Sequence, residues 1–383
     1  MAMTDQHIPL NKPFLGREET RAAVQVLESG DLGGNGAIGR ALEKYLQGSF
    51  AVKHVLLTTS CTHAMEMAMM AIGLGPGDEV IMPSFTFVTT ATAVVRQGAK
   101  PVFAEIDERS FNLDAGSAAE RITRRTKAIM PVHYAGQACD MQAIMSLAEK
   151  HGLHVVEDAA HGVGARYDGQ FLGTIGDAGC YSFHVTKNLT CGEGGALVTN
   201  DDELFRHCEI IREKGTNRSQ FLRGEVDKYT WVDIGSSYVL SDLLAAVLFV
   251  QIKKMDEIME KRRGVWQRYQ EGLRELENRG KVILPRLDPK AESSWHIYAL
   301  RTAGETNDRV IASLRQKGVG AAFHFVPLHL SPYGRDYLGC RPGDLPVTER
   351  VSCSLVRLPI YPSLAREEQD YVIRALYEAY DEG

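Results

Sequence analysis

The chain has 383 residues, 44% of them hydrophobic and 24% charged, with a formal net charge of −6. At about 100–200 residues per domain this is one large domain plus a smaller one. The acidic excess leaves no overall basic field for nucleic acid or anionic lipid, so a phosphorylated ligand has to be held locally.

The seven cysteines contain no C-x-x-C pair, which argues against a disulfide framework or a zinc site and fits a reducing compartment. No apolar run reaches the 18 or so residues of a membrane span. Met1 to His7 lacks the basic and then apolar pattern of a secretory signal. The expectation is a cytoplasmic protein without metal.

Ile8 to Pro13 reads as extended and Glu18 to Leu27 as a helix. Ser29 to Gly36 is a glycine-rich loop, either a plain connector or a mobile lid, and a further helix follows from Ile38 to Leu46. His54 to Thr58 reads as a buried strand. A small polar turn to Thr62 then opens a helix with Met65, Met69 and Ile72 on its apolar face. Unpaired N–H groups and the helix dipole make such a turn an anion site; the plain alternative is a helix capped by Ser60 or Thr62.

Strand patterns recur at Val80 to Pro83, Lys100 to Ile106, Lys127 to Val132 and Leu153 to Glu157, with helices between them. One of these helices opens over Ser84 to Thr90, where Phe85 or Phe87 is suited to face a heteroaromatic ring. The alternation predicts a mainly parallel sheet covered on both faces, with ligands beyond the carboxyl ends of its strands. Asp158, His133 and the turn at Thr58 to Thr62 all fall at such ends and are expected to converge.

Gly179 to Phe183 is a short strand, and Gly192 to Thr199 makes a hairpin-like return. Lys187 lies between them among apolar and small residues, where burial lowers its pKa and makes it a nucleophile. A lysine and an aspartate on neighbouring strand ends are the pair that pyridoxal phosphate needs. Lys187 can form an imine with the cofactor aldehyde, and Asp158 can keep the pyridine nitrogen protonated.

A helix over 203–216 leads into the long polar loop Thr216 to Asp233, either a solvated charged loop or one whose Arg218, Arg223 and Lys228 meet a diphosphate. Val239 to Leu276 reads as one long helix carrying a domain boundary near residue 250, so that residues 1–250 form the large domain and 251–383 the small one. Strands are expected over Trp295 to Leu300 and Gly320 to Phe325, with helices near 308–317 and 366–380. His324 and His329 are five apart, with no third ligand spaced to make them a metal site.

Glu157-Asp-Ala-Ala-His161, Ser182-Phe-His-x-Thr-Lys187, Gly192-Glu-Gly-Gly195, Gly75-Pro-Gly-Asp-Glu79 and Phe325-Val-Pro-Leu-His329 together resemble the nucleotide-sugar aminotransferases of the DegT/StrS type, over nearly the whole chain. The resemblance implies an α/β protein of fold type I, aspartate-aminotransferase-like. Its large domain would hold a mainly parallel seven-stranded sheet, and the protein would act as a homodimer with shared active sites. It also implies that Cys61 and Thr62 bind the cofactor phosphate through backbone N–H groups, with a hydroxyl from Ser182. Phe87 would stack on the ring, Asp158 pair with its nitrogen, His161 lie near its hydroxyl, and Lys187 carry the Schiff base.

The family stretch Gly-x-Asn-Tyr-Arg-Met-Ser stands here as Gly235-Ser-Ser-Tyr-Val-Leu-Ser241. Ser237 replaces an asparagine that reaches the phosphate from the partner subunit, and Val239 replaces an arginine. Gly215 to Gln220, Asp227 to Trp231 and Ser236 to Tyr238 resemble the subgroup that aminates TDP-4-keto-6-deoxy-glucose. The expectation is transfer of an amino group, by resemblance from L-glutamate, to C4 of that sugar. Arg218, Lys228 and Tyr229 would contact diphosphate and sugar, and His329 the sugar or the donor carboxylate. A 3-keto or pentose substrate and a cofactor-binding regulatory protein without turnover are the alternatives. Lys187 itself argues against a sugar 3-dehydratase, in which histidine takes its place.

Overall fold

Successive side chains of a strand point to opposite faces of its sheet, and in the middle of this chain both sets are apolar. The computed structural model describes residues 7–304 and 306–381, so the reading of Met1 to Gln6 lies outside the described residues. The strands in question are β1 (His54–Thr58), β2 (Glu79–Pro83), β3 (Lys100–Ala104), β4 (Thr126–Ile129) and β5 (His154–Asp158). A small hairpin, β6 (Arg166–Tyr167) and β7 (Gln170–Phe171), precedes β8 (Ala178–Ser182) and β9 (Gly195–Thr199).

The larger sheet has seven strands in the order β1-β9-β8-β5-β4-β2-β3. Only β9 runs against its neighbours; the remaining pairs are parallel. Leu56, Met82, Val156 and Leu197 pack into one core cluster. Their sequence neighbours Val55, Leu57, Ala196 and Val198 pack into another, and Ile81, Ile129 and Val155 into a third. Helices cover both faces, as the near-continuous apolar runs require.

The C-terminal part carries β10 (Val282–Ile283), β11 (Ala291–Glu292), β12 (Tyr298–Thr302) and β13 (Leu355–Leu358). β10, β12 and β13 form an antiparallel sheet, and β11 extends the β6–β7 hairpin. Val265, Trp266, Tyr269, Leu300, Val356 and Leu376 build a separate core there. The helix Met255–Gly272 serves two cores, giving Ile258 to one and Val265, Trp266 and Tyr269 to the other.

Three local expectations are corrected. The long helix expected from Val239 divides into Asp242–Lys253, Met255–Gly272 and Arg274–Asn278. Val239 and Ser241 are extended instead, bridging Thr58 and Gly34, and the Ser241 hydroxyl caps the first of the three helices. The break at Lys254 is tied down from outside, its amine lying 2.6 Å from Glu18 and 2.8 Å from Glu19. Gly320 to Phe325 forms no strand; Ala322 alone bridges Arg357, on the strand β13 that apolar alternation did not single out. The helix expected from Ser84 begins at Val88, because residues 84–86 bend away from β2 and Phe87 is extended as the residue that precedes the helix.

The alternation also separates the two carboxylates that close β5. Glu157 turns to the face away from Asp158 and is wholly buried. Its Oε1 accepts from the N–H groups of Ile175 and Gly176, at 2.8 and 2.7 Å, and its Oε2 from that of Gly173 at 2.7 Å and from His133 Nε2 at 2.8 Å. The His133 Nδ1 accepts from the Cys139 N–H at 3.2 Å. His133 is therefore a buttress beneath the sheet end, and the expectation that it converges with Asp158 is corrected. Replacing Glu157 by Leu strands a buried imidazole and three N–H groups. It should cost about 3–5 kcal/mol in urea unfolding, whereas Glu260→Ala, in the exposed pair with Arg263, should change stability by less than about 1 kcal/mol.

Candidate active site

A cavity of about 700 Å³ opens at the carboxyl ends of β5 and β8. Asp158 enters it from the last position of β5. Its Oδ2 accepts from the Thr90 hydroxyl at 2.8 Å and its Oδ1 from the Ala160 N–H at 3.1 Å. The Thr86 hydroxyl lies 2.8 Å from that of Thr90, extending the chain of hydrogen bonds. Burial pushes the Asp158 pKa up, and these donors together with the Lys187 charge pull it back. Thr90 lies 68 residues away in sequence, and nothing in its surroundings marked it for this role.

Lys187 enters from the β8–β9 connection. That loop is folded on itself by Phe183 N–H to Gly194 O (2.8 Å), Val185 N–H to Gly192 O (2.8 Å) and Lys187 N–H to His184 O (2.9 Å). The next residue, Asn188, anchors it, donating to Ser294 O at 2.6 Å and accepting from His296 Nδ1 at 2.8 Å. Lys187 Nζ lines the cavity, and burial lowers its pKa to about 8 against the pull of Cys61 and Asp158.

The turn before the helix Cys61–Ala71 forms another wall. Ser60 caps the helix through the His63 N–H at 3.1 Å, which settles the choice between Ser60 and Thr62. Cys61 and Thr62 line the cavity at the first helical turn, where N–H groups have no partner within the helix. A Cβ on Gly195 would lie 2.4 Å from the Cys61 nitrogen, so the glycine run is needed for β9 to pass under this turn. Ser182 also lines the cavity. Of the two phenylalanines left open, Phe85 is core and 1% exposed, while Phe87 is 57% exposed at the cavity wall.

His161 is on the opposite wall. Its Nδ1 accepts from the Ala135 N–H at 3.2 Å, which places the proton of the neutral ring on Nε2. Burial and then the Lys187 charge keep it from protonating. His296 and His324 stand beside it, with ring centroids 4.5 and 5.9 Å away, and both are likewise held neutral, first by burial. Sequence reasoning placed neither in the site: His296 sat inside an expected strand, and His324 was weighed only as half of a metal pair. Among the described residues no group of three or more His, Cys, Asp or Glu is placed to hold a metal.

Other residues singled out in the sequence lie elsewhere. His329 is 1% exposed, with Nδ1 2.7 Å from Ser84 Oγ and Nε2 3.0 Å from Glu349; both nitrogens are engaged, so a role on sugar or donor is corrected to a structural one. Ser237 is exposed and pairs with Glu213 in an isolated bridge. Arg218, Lys228 and Tyr229 lie on the exposed loop and do not line the cavity of their own chain.

The cavity's donor set fits pyridoxal phosphate: a buried amine of depressed pKa, a carboxyl group held by two donors, an open aromatic face and N–H groups at a helix start without partners within the helix. Residues 13–377 match the DegT/DnrJ/EryC1/StrS aminotransferase family, and the chain belongs to it. It is a pyridoxal-phosphate-dependent sugar aminotransferase of fold type I. The chain is 36% identical over 377 residues to the spore coat polysaccharide biosynthesis protein SpsC of Bacillus subtilis, with 96% of each covered. It is 35% identical to DesV of S. venezuelae, solved in complex with a ketimine intermediate, covering 94% of each chain with a TM-score of 0.87. The aminotransferase from Psychrobacter cryohalolentis superposes with a TM-score of 0.93 at 28% identity, over 98% of this chain and 99% of that one.

The lysine environment gives a pH test. Only the neutral amine attacks an aldehyde, so covalent uptake of pyridoxal phosphate by cofactor-free protein should rise through a midpoint near pH 8 and then level off. A lysine at its ordinary value would keep accelerating toward 10.5. Stopped-flow absorbance, with Lys187→Arg protein as the background, separates the two.

Proposed function

We propose that the protein transfers an amino group from an amino acid, L-glutamate, to C4 of TDP-4-keto-6-deoxy-glucose, working in the cytoplasm as a homodimer with shared active sites. The observation that carries this reading is the pairing of Lys187 and Asp158 in one cavity. Bound pyridoxal phosphate supplies an aldehyde that takes the donor's amine and a ring that holds the electron pair released at the donor α-carbon.

The chain's residues do the rest. Asp158 holds a proton on the ring nitrogen, and Thr90 and the Ala160 N–H hold and aim that carboxylate. Phe87 covers a face of the ring. The Cys61 and Thr62 N–H groups and the Ser182 hydroxyl take the phosphate, and His161 offers Nε2–H to the ring hydroxyl. Lys187 Nζ carries the cofactor and, once displaced by the donor, moves the proton from the donor α-carbon.

The remaining parts come from the second chain in this reading. Ser237 stands where the family has an asparagine reaching the partner's phosphate, and its exposure on the surface supports that placement. Arg218, Lys228 and Tyr229 would reach the diphosphate and sugar from the partner as well. Trp231 and Ile234, 76% and 69% exposed beside them, suit an interface more than open solvent.

Addition of L-glutamate should discharge the cofactor's absorbance band, and TDP-4-keto-6-deoxy-glucose should restore it, with NMR of the product placing nitrogen at C4. Nitrogen at C3, or restoration only by a 3-keto sugar or a pentose nucleotide, would refute the C4 assignment. A band that no amino acid discharges would refute turnover. Asp158→Asn keeps the shape but not the charge, and should lower kcat about 10²–10³-fold. Arg218→Ala should raise the sugar-nucleotide KM at least about tenfold while leaving discharge by glutamate unchanged.

A further inference from the structure

A second cleft, of about 370 Å³, lies across one wall of the active cavity. Two segments make that wall. The Ser294 N–H donates to Gly136 O at 3.1 Å and the His296 N–H to Ala135 O at 3.2 Å. On the active-site side, the Ala135 N–H reaches His161 and His296 lines the cavity. On the other side, Gln137 and Ser293 line the cleft.

Gln137 is only 5% exposed. Its backbone carbonyl accepts from the Asn112 amide at 3.2 Å, but its side-chain amide has no partner among the described residues. A buried amide is normally paired, so this one is left for something from outside the chain. Ser293, 7% exposed, accepts from the Trp295 N–H at 3.0 Å and has its own proton unspent.

The outer part of the cleft is charged. Arg109 and Arg286 line it, and neither guanidinium has a partner among the described residues. Four aspartates line it as well, and each spends a single oxygen. Oδ1 of Asp107 accepts from Arg109 and Ser110, and that of Asp114 from Ser117. Oδ1 of Asp140 accepts from Ala143 and Tyr167, and that of Asp288 from Lys290. Unspent carboxylate oxygens thus share one cleft with unspent guanidinium and amide N–H groups.

We infer that this cleft binds an amino sugar in its free, unphosphorylated form. The inference rests on the cleft alone and stands apart from the proposed function. Hydroxyl groups donate and accept at once. A sugar ring therefore gives its protons to the carboxylate oxygens and takes N–H groups from the arginines and Gln137. Four carboxylates against two guanidiniums favour an ammonium group on that ring and turn away phosphate. An amino acid would bring one more carboxylate to the four already there. A metal ion finds no group of three or more His, Cys, Asp or Glu placed to hold it among the described residues.

The test is calorimetric titration of the holoenzyme with D-glucosamine, in the parent, Gln137→Leu and Asp288→Asn. The parent should bind saturably with the cofactor's absorbance band unmoved. Q137L and D288N should each bind at least about tenfold more weakly. D-glucose, which lacks the ammonium group, should bind more weakly than D-glucosamine, and D-glucose 1-phosphate more weakly still. Gln137 has no partner to lose, so Q137L should unfold at the parent's temperature or above it.

No saturable binding would overturn the assignment. So would equal binding by parent and both variants, or a cofactor band that glucosamine moves alike in all three, since either places the sugar elsewhere. Binding of D-glucose as tight as that of D-glucosamine would remove the ammonium group from the argument, and tight binding of D-glucose 1-phosphate would give the cleft to an anion. A lowered unfolding midpoint in Q137L would show its amide engaged within the fold and remove the ground for the site.

Discussion

Burial of charge at the carboxyl ends of β5 and β8 is the constraint from which the rest of the site follows. A carboxylate and an amine removed from water both tend toward neutrality, the carboxylate by a rise in pKa and the amine by a fall. The two ends of the cavity meet this differently. Asp158 is supplied with two hydrogen-bond donors and a facing cation, which oppose the rise in pKa that its burial causes. Lys187 receives no hydrogen bond to its Nζ among the described residues, and its pKa is allowed to drop to about 8. One fold thus sets hydrogen-bond donors around the acid that a ring nitrogen needs and leaves a nucleophile where an aldehyde needs it.

The neighbour of Asp158 shows what the sheet contributes. Glu157 is one residue earlier, so the pleat turns it to the other face, where three N–H groups and His133 satisfy it completely. That carboxylate gathers the turn at residues 173–176, and this turn feeds β8 and then the lysine loop. Asn188 closes the loop from the other side by reaching Ser294 and His296 ahead of β12. The position of Lys187 is therefore set jointly by the large sheet and by a segment more than a hundred residues later.

Local chemistry was legible in the sequence wherever it was contiguous. Strands alternating with helices along the chain gave the parallel sheet, and β1 ends at Thr58, where its apolar pattern ended. Asp158 and Lys187 stood out because each broke the expectation for its surroundings, an acid without a helix to cap and a lysine among small residues. What the sequence hid was long-range pairing. Thr90 is an ordinary helix threonine until it meets Asp158. His329 looked functional because it was polar and near a motif, and only the fold shows both its nitrogens spent in the interior. The helix expected through Lys254 failed because Glu18 and Glu19, more than 230 residues away, hold that residue outside the pattern.

The substitution of valine for arginine at position 239 also has a physical reading. Residue 239 is extended and pairs with Thr58 at the end of β1, directly before the turn that opens the helix Cys61–Ala71. On its other side it packs against the glycine-rich loop so closely that a Cβ on Gly34 would meet its side chain at 2.6 Å. Asp242 holds the same loop by donating its N–H to the Gly33 carbonyl at 3.1 Å, and it caps the helix that follows, accepting from the Ile38 and Gly39 N–H groups at 3.0 Å each. The loop that read as a connector or a lid is thus fastened at both ends of one short segment, and Val239 spends its side chain on that fastening. A branched apolar residue serves this packing with no guanidinium to desolvate. The positive charge of the family's arginine has no replacement within Gly235 to Ser241.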